Sequence, residues 1–134
     1  MKTKEDLERD QLSKNGIEFE KEVRKFLSDK WNIVLEERKV KIGNIFKKFD
    51  LVSKDEQFIG DAKYYKNISV PAAKFSTIGE YVWLLEKTPA KRKFLVFGKD
   101  IEVPKRWLER FGNLTSVEFY FLDGNKLIDL RSKK

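Results

Sequence analysis

Apolar positions along the chain follow two periods. In "GIEFEKEVRKFLSDKW", Phe19, Val23, Phe26, Leu27 and Trp31 recur every three or four residues, the spacing of one face of a helix. The pattern predicts a first helix from near Gly16, with a more polar helical lead-in before it. "IVLEERKVKI" reads as a strand despite its charged middle, and Gly43 with Asn44 marks a turn. "IFKKFDLVS" and "QFIGDAKYYK" follow, with the β-branched and aromatic content of two strands in a hairpin. Pro71 suits the first position of a helix carrying Ala72, Phe75, Ile78, Val82 and Leu85, and Pro89 ends it. "RKFLVFG" is a short, nearly continuous apolar run, as expected of a buried strand reached by a helical crossover and so parallel to a neighbour. Pro104 opens a short helix through Trp107, Leu108 and Phe111. "SVEFYFLDGNKLIDL" closes the chain as a strand, an Asp-Gly-Asn turn and a shorter strand. The expected order is α-β-β-β-α-β-α-β-β.

The hairpin in the middle places charge on a shared face. If its strands pair through a two-residue loop at Asp55 and Glu56, Asp50 stands opposite Asp61 and Lys48 opposite Lys63. Side chains alternate along a strand, so Lys48, Asp50, Asp61 and Lys63 would share one face while Phe49, Leu51, Phe58 and Ala62 take the other. Asp-Glu is not a favoured turn pair, and a longer loop would keep the same pairing. Two carboxylates across a ladder repel by up to about 1 kcal/mol, so a neutralising partner is expected, and Asp50→Ala should relieve a strain on the metal-free protein.

Composition narrows what that partner is. The chain contains neither cysteine nor histidine, which removes thiol nucleophiles, imidazole bases, disulfides and the usual zinc ligands. Chemistry is left to carboxylates, lysines, hydroxyls or a hard metal. Mg²⁺ takes carboxylate oxygens, keeps several waters and bridges to phosphates, and Lys63, two residues beyond Asp61, would then stand beside the reacting phosphate. Lysine and arginine outnumber the acids by 29 to 22, a net charge of +7 that favours an anionic partner. The 134 residues suit one domain spanning 1–134, and with no apolar run near the ~20 residues of a membrane span the chain reads as soluble, cytoplasmic and without a membrane partner.

These residues resemble the PD-(D/E)XK, or restriction-endonuclease-like, nuclease superfamily: an aspartate on one hairpin strand, Asp50, and an acid-X-lysine on the next, Asp61-Ala62-Lys63, after a helix that carries a glutamate, here Glu20 in "GIEFEKEV". The resemblance covers roughly residues 16 to 98. Phe49 stands where the family has a proline. Glu37-Arg38-Lys39 is a second acid-X-lysine, but it precedes the hairpin and lacks the upstream aspartate. The resemblance implies a mixed β-sheet flanked by helices and a Mg²⁺-dependent endonuclease, with Mn²⁺ able to substitute, that hydrolyses DNA phosphodiester bonds by a metal-activated water. On that pattern Asp50, Asp61, the Ala62 carbonyl and Glu20 bind metal, and Lys63 stabilises the transition state. The small size suggests a structure-selective enzyme or catalytic module of repair, recombination, restriction or a mobile element, acting on DNA rather than RNA, as a homodimer or with a partner specificity subunit. The alternative on the same fold is a catalytically silent nucleic-acid-binding or scaffold subunit.

Each residue also has a plainer reading. Asp50, Asp61 and Lys63 can form cross-strand ion pairs on an exposed hairpin, and Glu20 can pair with Arg24 on a solvated helix. Lys48, Tyr65, Lys66 and Lys74 are candidate nucleic-acid contacts. Equally, Tyr64, Tyr65 and Lys66 can be strand residues with polar tips, and Lys74 with Lys87 a generic basic surface. Thr77 and Tyr81 have a spacing similar to a glutamine–tyrosine pair of one exonuclease-like branch, with threonine in the place of glutamine.

Overall fold

The computed structural model describes the backbone over residues 4–65 and 71–131, and the side chains over 16–65 and 74–131. The elements run α1 (Lys4–Trp31), β1 (Leu35–Ile42), β2 (Ile45–Ser53), β3 (Phe58–Tyr65), α2 (Pro71–Glu86), β4 (Arg92–Lys99), α3 (Glu102–Phe111), β5 (Glu118–Asp123) and β6 (Lys126–Asp129), with a 3₁₀ turn at Gly112–Leu114. The order is the expected one. α1 is continuous through Gly16, and α3 begins two residues before Pro104, where the Asp100 carboxylate accepts from the Glu102 amide at 2.8 Å.

All six strands form one mixed sheet in chain order. β1, β2 and β3 are antiparallel neighbours, β3–β4 and β4–β5 are parallel, and β6 returns antiparallel to β5. The two parallel steps are made by α2 and α3, as parallel pairing requires a crossover. Both helices lie on one face, where Ile78, Val82, Leu85, Val103 and Trp107 pack onto Val52, Ile59, Leu95, Phe97 and Phe119. α1 covers the other face with Phe19, Val23 and Leu27 against Leu51, Ala62, Phe94 and Val96. The fold is therefore α/β with helices on both sides of the sheet. Among the described residues no helix is long and apolar enough to cross a membrane.

Two details set the position of α1. Gly98 on β4 has no side chain because the Phe19 ring occupies the place its Cβ would take. At the helix's other end the Ser28 hydroxyl accepts from the Leu35 amide at 3.1 Å, tying α1 to the start of β1.

The β2–β3 register is the expected one, with Leu51 opposite Gly60 and Val52 opposite Ile59. The connection is longer than two residues: Lys54–Gln57 lie between the strands, the Glu56 amide donates to the Ser53 carbonyl, and Ser53 Oγ with the Asp55 carboxylate holds the bend. The clean separation of polar and apolar faces does not hold. The β1–β2 pairing shifts between Glu36 and Arg38, because Val52 stands opposite Glu36 but Phe49 stands opposite Arg38. β2 thus has one extra residue there, and Asp50 and Leu51 share the position opposite Glu37. This β-bulge turns the strand over, so Phe49 packs on the α2 side while Leu51, two residues on, packs under α1.

Candidate active site

The bulge lines a cavity of about 680 Å³ built from five elements: Glu20 and Arg24 of α1, Glu37 of β1, Lys48 and Asp50 of β2, Asp61, Ala62 and Lys63 of β3, and Tyr81 of α2. Each element arrives for a local reason. Glu20 follows Phe19, seated on Gly98, and precedes Val23, which is fully buried, so its carboxylate emerges at the edge of the buried stripe, half exposed. Arg24, one turn later, donates from Nε to the Asp50 carbonyl at 3.3 Å and ties the helix to the bulge.

The two aspartates are buried, and they do not simply repel. The β2–β3 ladder ends at Leu51 and Gly60, and beyond it the side chains take over the backbone's hydrogen bonds. The Asp50 amide donates to Asp61 Oδ1 at 2.9 Å, and the Ala62 amide donates to Asp50 Oδ2 at 3.1 Å. Asp61 Oδ2 then meets Lys63 Nζ at 2.8 Å, an ion pair almost wholly withdrawn from water. The Lys63 ammonium also lies over the Tyr81 ring, 3.3 Å from its centroid, with Lys47 Nζ 4.7 Å from the same ring. Tyr81 therefore seats the lysine that the acid-X-lysine pattern singles out.

Electrostatics follow from burial and crowding. Burial, reinforced by the Asp50 charge, raises the Asp61 carboxyl to about 7 even though Lys63 pulls it down. Burial pulls the Lys63 ammonium down, but the Asp61 carboxylate and the Tyr81 phenol outweigh it and hold Lys63 above its ordinary value. Lys63 is thus a firm cation. Burial also raises Glu20, and the neighbouring Asp50 and Glu37 carboxylates raise it further, against Arg24 and Lys48.

Glu20, Glu37 and Asp50 bring carboxylate oxygens within 4.8 Å of one another. Neighbouring oxygens bound to one Mg²⁺ at about 2.1 Å stand roughly 3 Å apart, so side-chain movement of up to about 1 Å per group would let the three share a hard cation. The residues fit such an ion. Of the expected ligands, Glu20 and Asp50 are in this group, Ala62 lines the cavity and donates its amide to Asp50, and Asp61 faces Lys63 instead. Glu37 is the member that sequence reasoning passed over. Its only available signal was the alternation of β1, which puts it on the same face as the buried Leu35.

The expected nucleic-acid contacts separate. Lys48 reaches the cavity and pairs with Glu37 at 3.4 Å, on the α1 side of the sheet, so the bulge keeps it from standing opposite Lys63. Tyr65 is buried with its ring against Phe97, burial pushes its phenol up to about 12, and it offers no open face to a base. Lys74 is half-buried with its Nζ 5.1 Å from the centre of the Tyr65 ring. Lys66 lies outside the described residues. The chain matches no known family model, no curated protein and no solved structure at a significant level.

Proposed function

We propose that the chain is a divalent-metal-dependent deoxyribonuclease on a restriction-endonuclease-like core. The observation that carries this reading is the junction of Asp50, Asp61 and Lys63 across the opening β2–β3 pair, with Glu20 and Glu37 close by, at a cavity of about 680 Å³ in a basic protein. The order α-β-β-β-α-β from α1 to β4 is the one the sequence resemblance implies, and the departures from the pattern are Phe49 in place of proline and the addition of Glu37.

Bound among Glu20, Glu37 and Asp50, a Mg²⁺ ion would supply Lewis acidity for activating a water and neutralise phosphate charge. The chain's own groups do the rest. Glu20, Glu37 and Asp50 would hold that cation with one carboxylate oxygen each. Lys63, kept protonated by Asp61 and Tyr81, serves as a fixed positive charge toward the developing phosphorane rather than as a base. Asp61 links the two functions, since one oxygen holds the Asp50 backbone and the other holds Lys63. The reading places the protein in the cytoplasm, with DNA as its substrate and a second copy or a partner subunit as a source of specificity.

Cleavage of plasmid, linear and branched DNA in Mg²⁺ or Mn²⁺, abolished by EDTA and by Lys63→Ala, is the expected result. Full cleavage in excess EDTA, or near wild-type turnover by Lys63→Ala, would refute it. DNA retention without cleavage by the wild type in either metal would favour the silent binding subunit instead.

A further inference from the structure

The β1–β2 hairpin extends beyond the cavity, and one of its faces has an unusual composition. Lys41 stands opposite Phe46 and Lys39 opposite Lys48, and all four share the face that carries Glu37. The three lysines are exposed, and Phe46 is 66% exposed. Directly opposed lysines weaken a sheet, and an aromatic ring in water gains nothing for folding. Lys48 has Glu37 as a partner, but among the described residues Lys39 and Lys41 have no carboxylate. The tip is well fixed: Ile42 pairs with Ile45 across Gly43 and Asn44, and Gly43 has a φ of +59°, which glycine adopts without strain. The hairpin is thus a firm ribbon that presents cations and a ring at no evident benefit to the fold.

We infer that this face binds a single-stranded nucleic-acid segment leading into the carboxylate cavity, with Lys39, Lys41 and Lys48 along its phosphates and Phe46 stacked on an unpaired base. The inference rests on the nucleic-acid part of the proposed function and adds to it which form of substrate is recognised, and where. From Asp50 to Phe46 is four residues of strand, about 13 Å. That is the reach of about four phosphates at the ~3.4 Å rise of one strand, and fewer if the strand is stretched. Lysines contribute affinity for any backbone, but a ring face can be covered by a base only where that base is unstacked from its neighbours. A cationic track with an exposed aromatic is the arrangement that holds single strands. An acidic peptide would match the lysines but leave Phe46 uncovered.

The test is fluorescence anisotropy in EDTA with labelled oligo-dT and a blunt duplex of equal length. Single strand should bind more tightly than duplex. Phe46→Ala should weaken single-strand binding about tenfold, the loss expected of one base stack, and Phe46→Trp should retain it. Lys39→Ala and Lys41→Ala should each flatten the slope of log affinity against log salt by about 0.7. Thermal melting checks that these surface variants remain folded. Single-strand binding unchanged in Phe46→Ala would overturn the inference while leaving the nuclease reading intact. Equal loss on single strand and duplex would overturn the single-strand assignment. Displacement by polyglutamate as effective as by oligo-dT at equal charge would reduce the face to a general polyanion surface and overturn it too. No binding of either nucleic acid in EDTA, nor with Ca²⁺ in its place, would overturn both this inference and the proposed function.

Discussion

Asp50 and Asp61 hold each other's strands: the Asp50 amide donates to Asp61 Oδ1 at 2.9 Å, and Asp50 Oδ2 accepts from the Ala62 amide at 3.1 Å. Each carboxylate replaces a backbone acceptor lost where the ladder opens. A pair expected to repel is therefore also the clasp that keeps β2 and β3 in register at the cavity.

Asp50→Ala should accordingly destabilise the metal-free protein, by about 1 to 3 kcal/mol, because it leaves the buried Ala62 amide without an acceptor. This reverses the expectation from charge repulsion alone. Asp50→Asn retains an acceptor oxygen and should melt close to wild type, yet it should be as inactive as Asp50→Ala. Denaturant unfolding in EDTA checks the first half and DNA cleavage the second. An Ala variant more stable than wild type would show that repulsion outweighs the clasp.

The Asp61 carboxyl makes stability depend on pH in a stated direction. Its folded value is raised from 3.8 to about 7, so the folded protein keeps a proton that the unfolded chain releases. The resulting stability is fully present below about pH 4 and is lost as pH rises toward about 7. The raised Glu20 carboxyl acts with the same sign. In EDTA, the Tm of wild type relative to Asp61→Asn should fall between pH 4 and 7 and then level off. A difference that grows with pH across that window would contradict the assignment. Mg²⁺ should restore stability most at the upper end, where the carboxylates are free of protons to bind it.

The order of elements was legible because each has its own local signal: helical spacing at Phe19, Val23 and Leu27, prolines at 71 and 89, glycine at 43 and 124, and an apolar run at 92–98. The β2–β3 register was legible too, because the polar break at Asp55 and Glu56 between two strand-like runs is short enough to fix the pairing. The bulge at Asp50 and Leu51 was not. It contains no glycine, its Asp50 stands inside a run that otherwise reads as uninterrupted strand, and its existence depends on how β1 pairs with β2 across the sheet, which no local pattern carries. Missing it hid the face of Phe49, the true side of Lys48 and the convergence of Glu37 on Glu20. The hold of Tyr81 on Lys63 was equally out of reach, because it joins α2 to β3 through tertiary packing.

Gly98 offers a test of how α1 is seated. A Cβ there would enter the Phe19 ring, so Gly98→Val should destabilise by about 1 to 3 kcal/mol through overpacking. Because Glu20 follows Phe19 in α1, the variant should also lose activity beyond what its stability predicts, at temperatures where it remains folded. Gly98→Ala with Phe19→Leu makes room for the new methyl group and should recover most of both. Recovery of stability without activity would mean that Glu20 is placed by something other than the Phe19 seat.

The metal site turns on Glu20 and Glu37, one the expected helix glutamate and the other seen only in three dimensions. Their carboxylates and that of Asp50 lie within 4.8 Å of one another, whereas Glu18 and Glu22 are exposed on the far side of α1. If the three oxygens share one cation, Glu20→Gln and Glu37→Gln should each reduce turnover at least about tenfold, equal to roughly 1.4 kcal/mol of lost transition-state stabilisation. Both should also raise the Mg²⁺ concentration needed for half-maximal activity, and excess Mn²⁺ should restore part of the rate, because a removed ligand weakens binding before it changes chemistry. Glu18→Gln and Glu22→Gln should alter neither quantity, since screened charges on a solvated helix face act weakly at that distance. Glu37 has a second role that must be separated from this one, its 3.4 Å pairing with Lys48. Lys48→Met removes that pair and keeps the carboxylate, so it should leave the Mg²⁺ requirement unchanged even if DNA binding weakens. If Glu37→Gln instead behaves like Lys48→Met, with a normal Mg²⁺ requirement and weaker DNA binding, Glu37 serves to hold the lysine, and the cation is left to Glu20, Asp50 and Asp61.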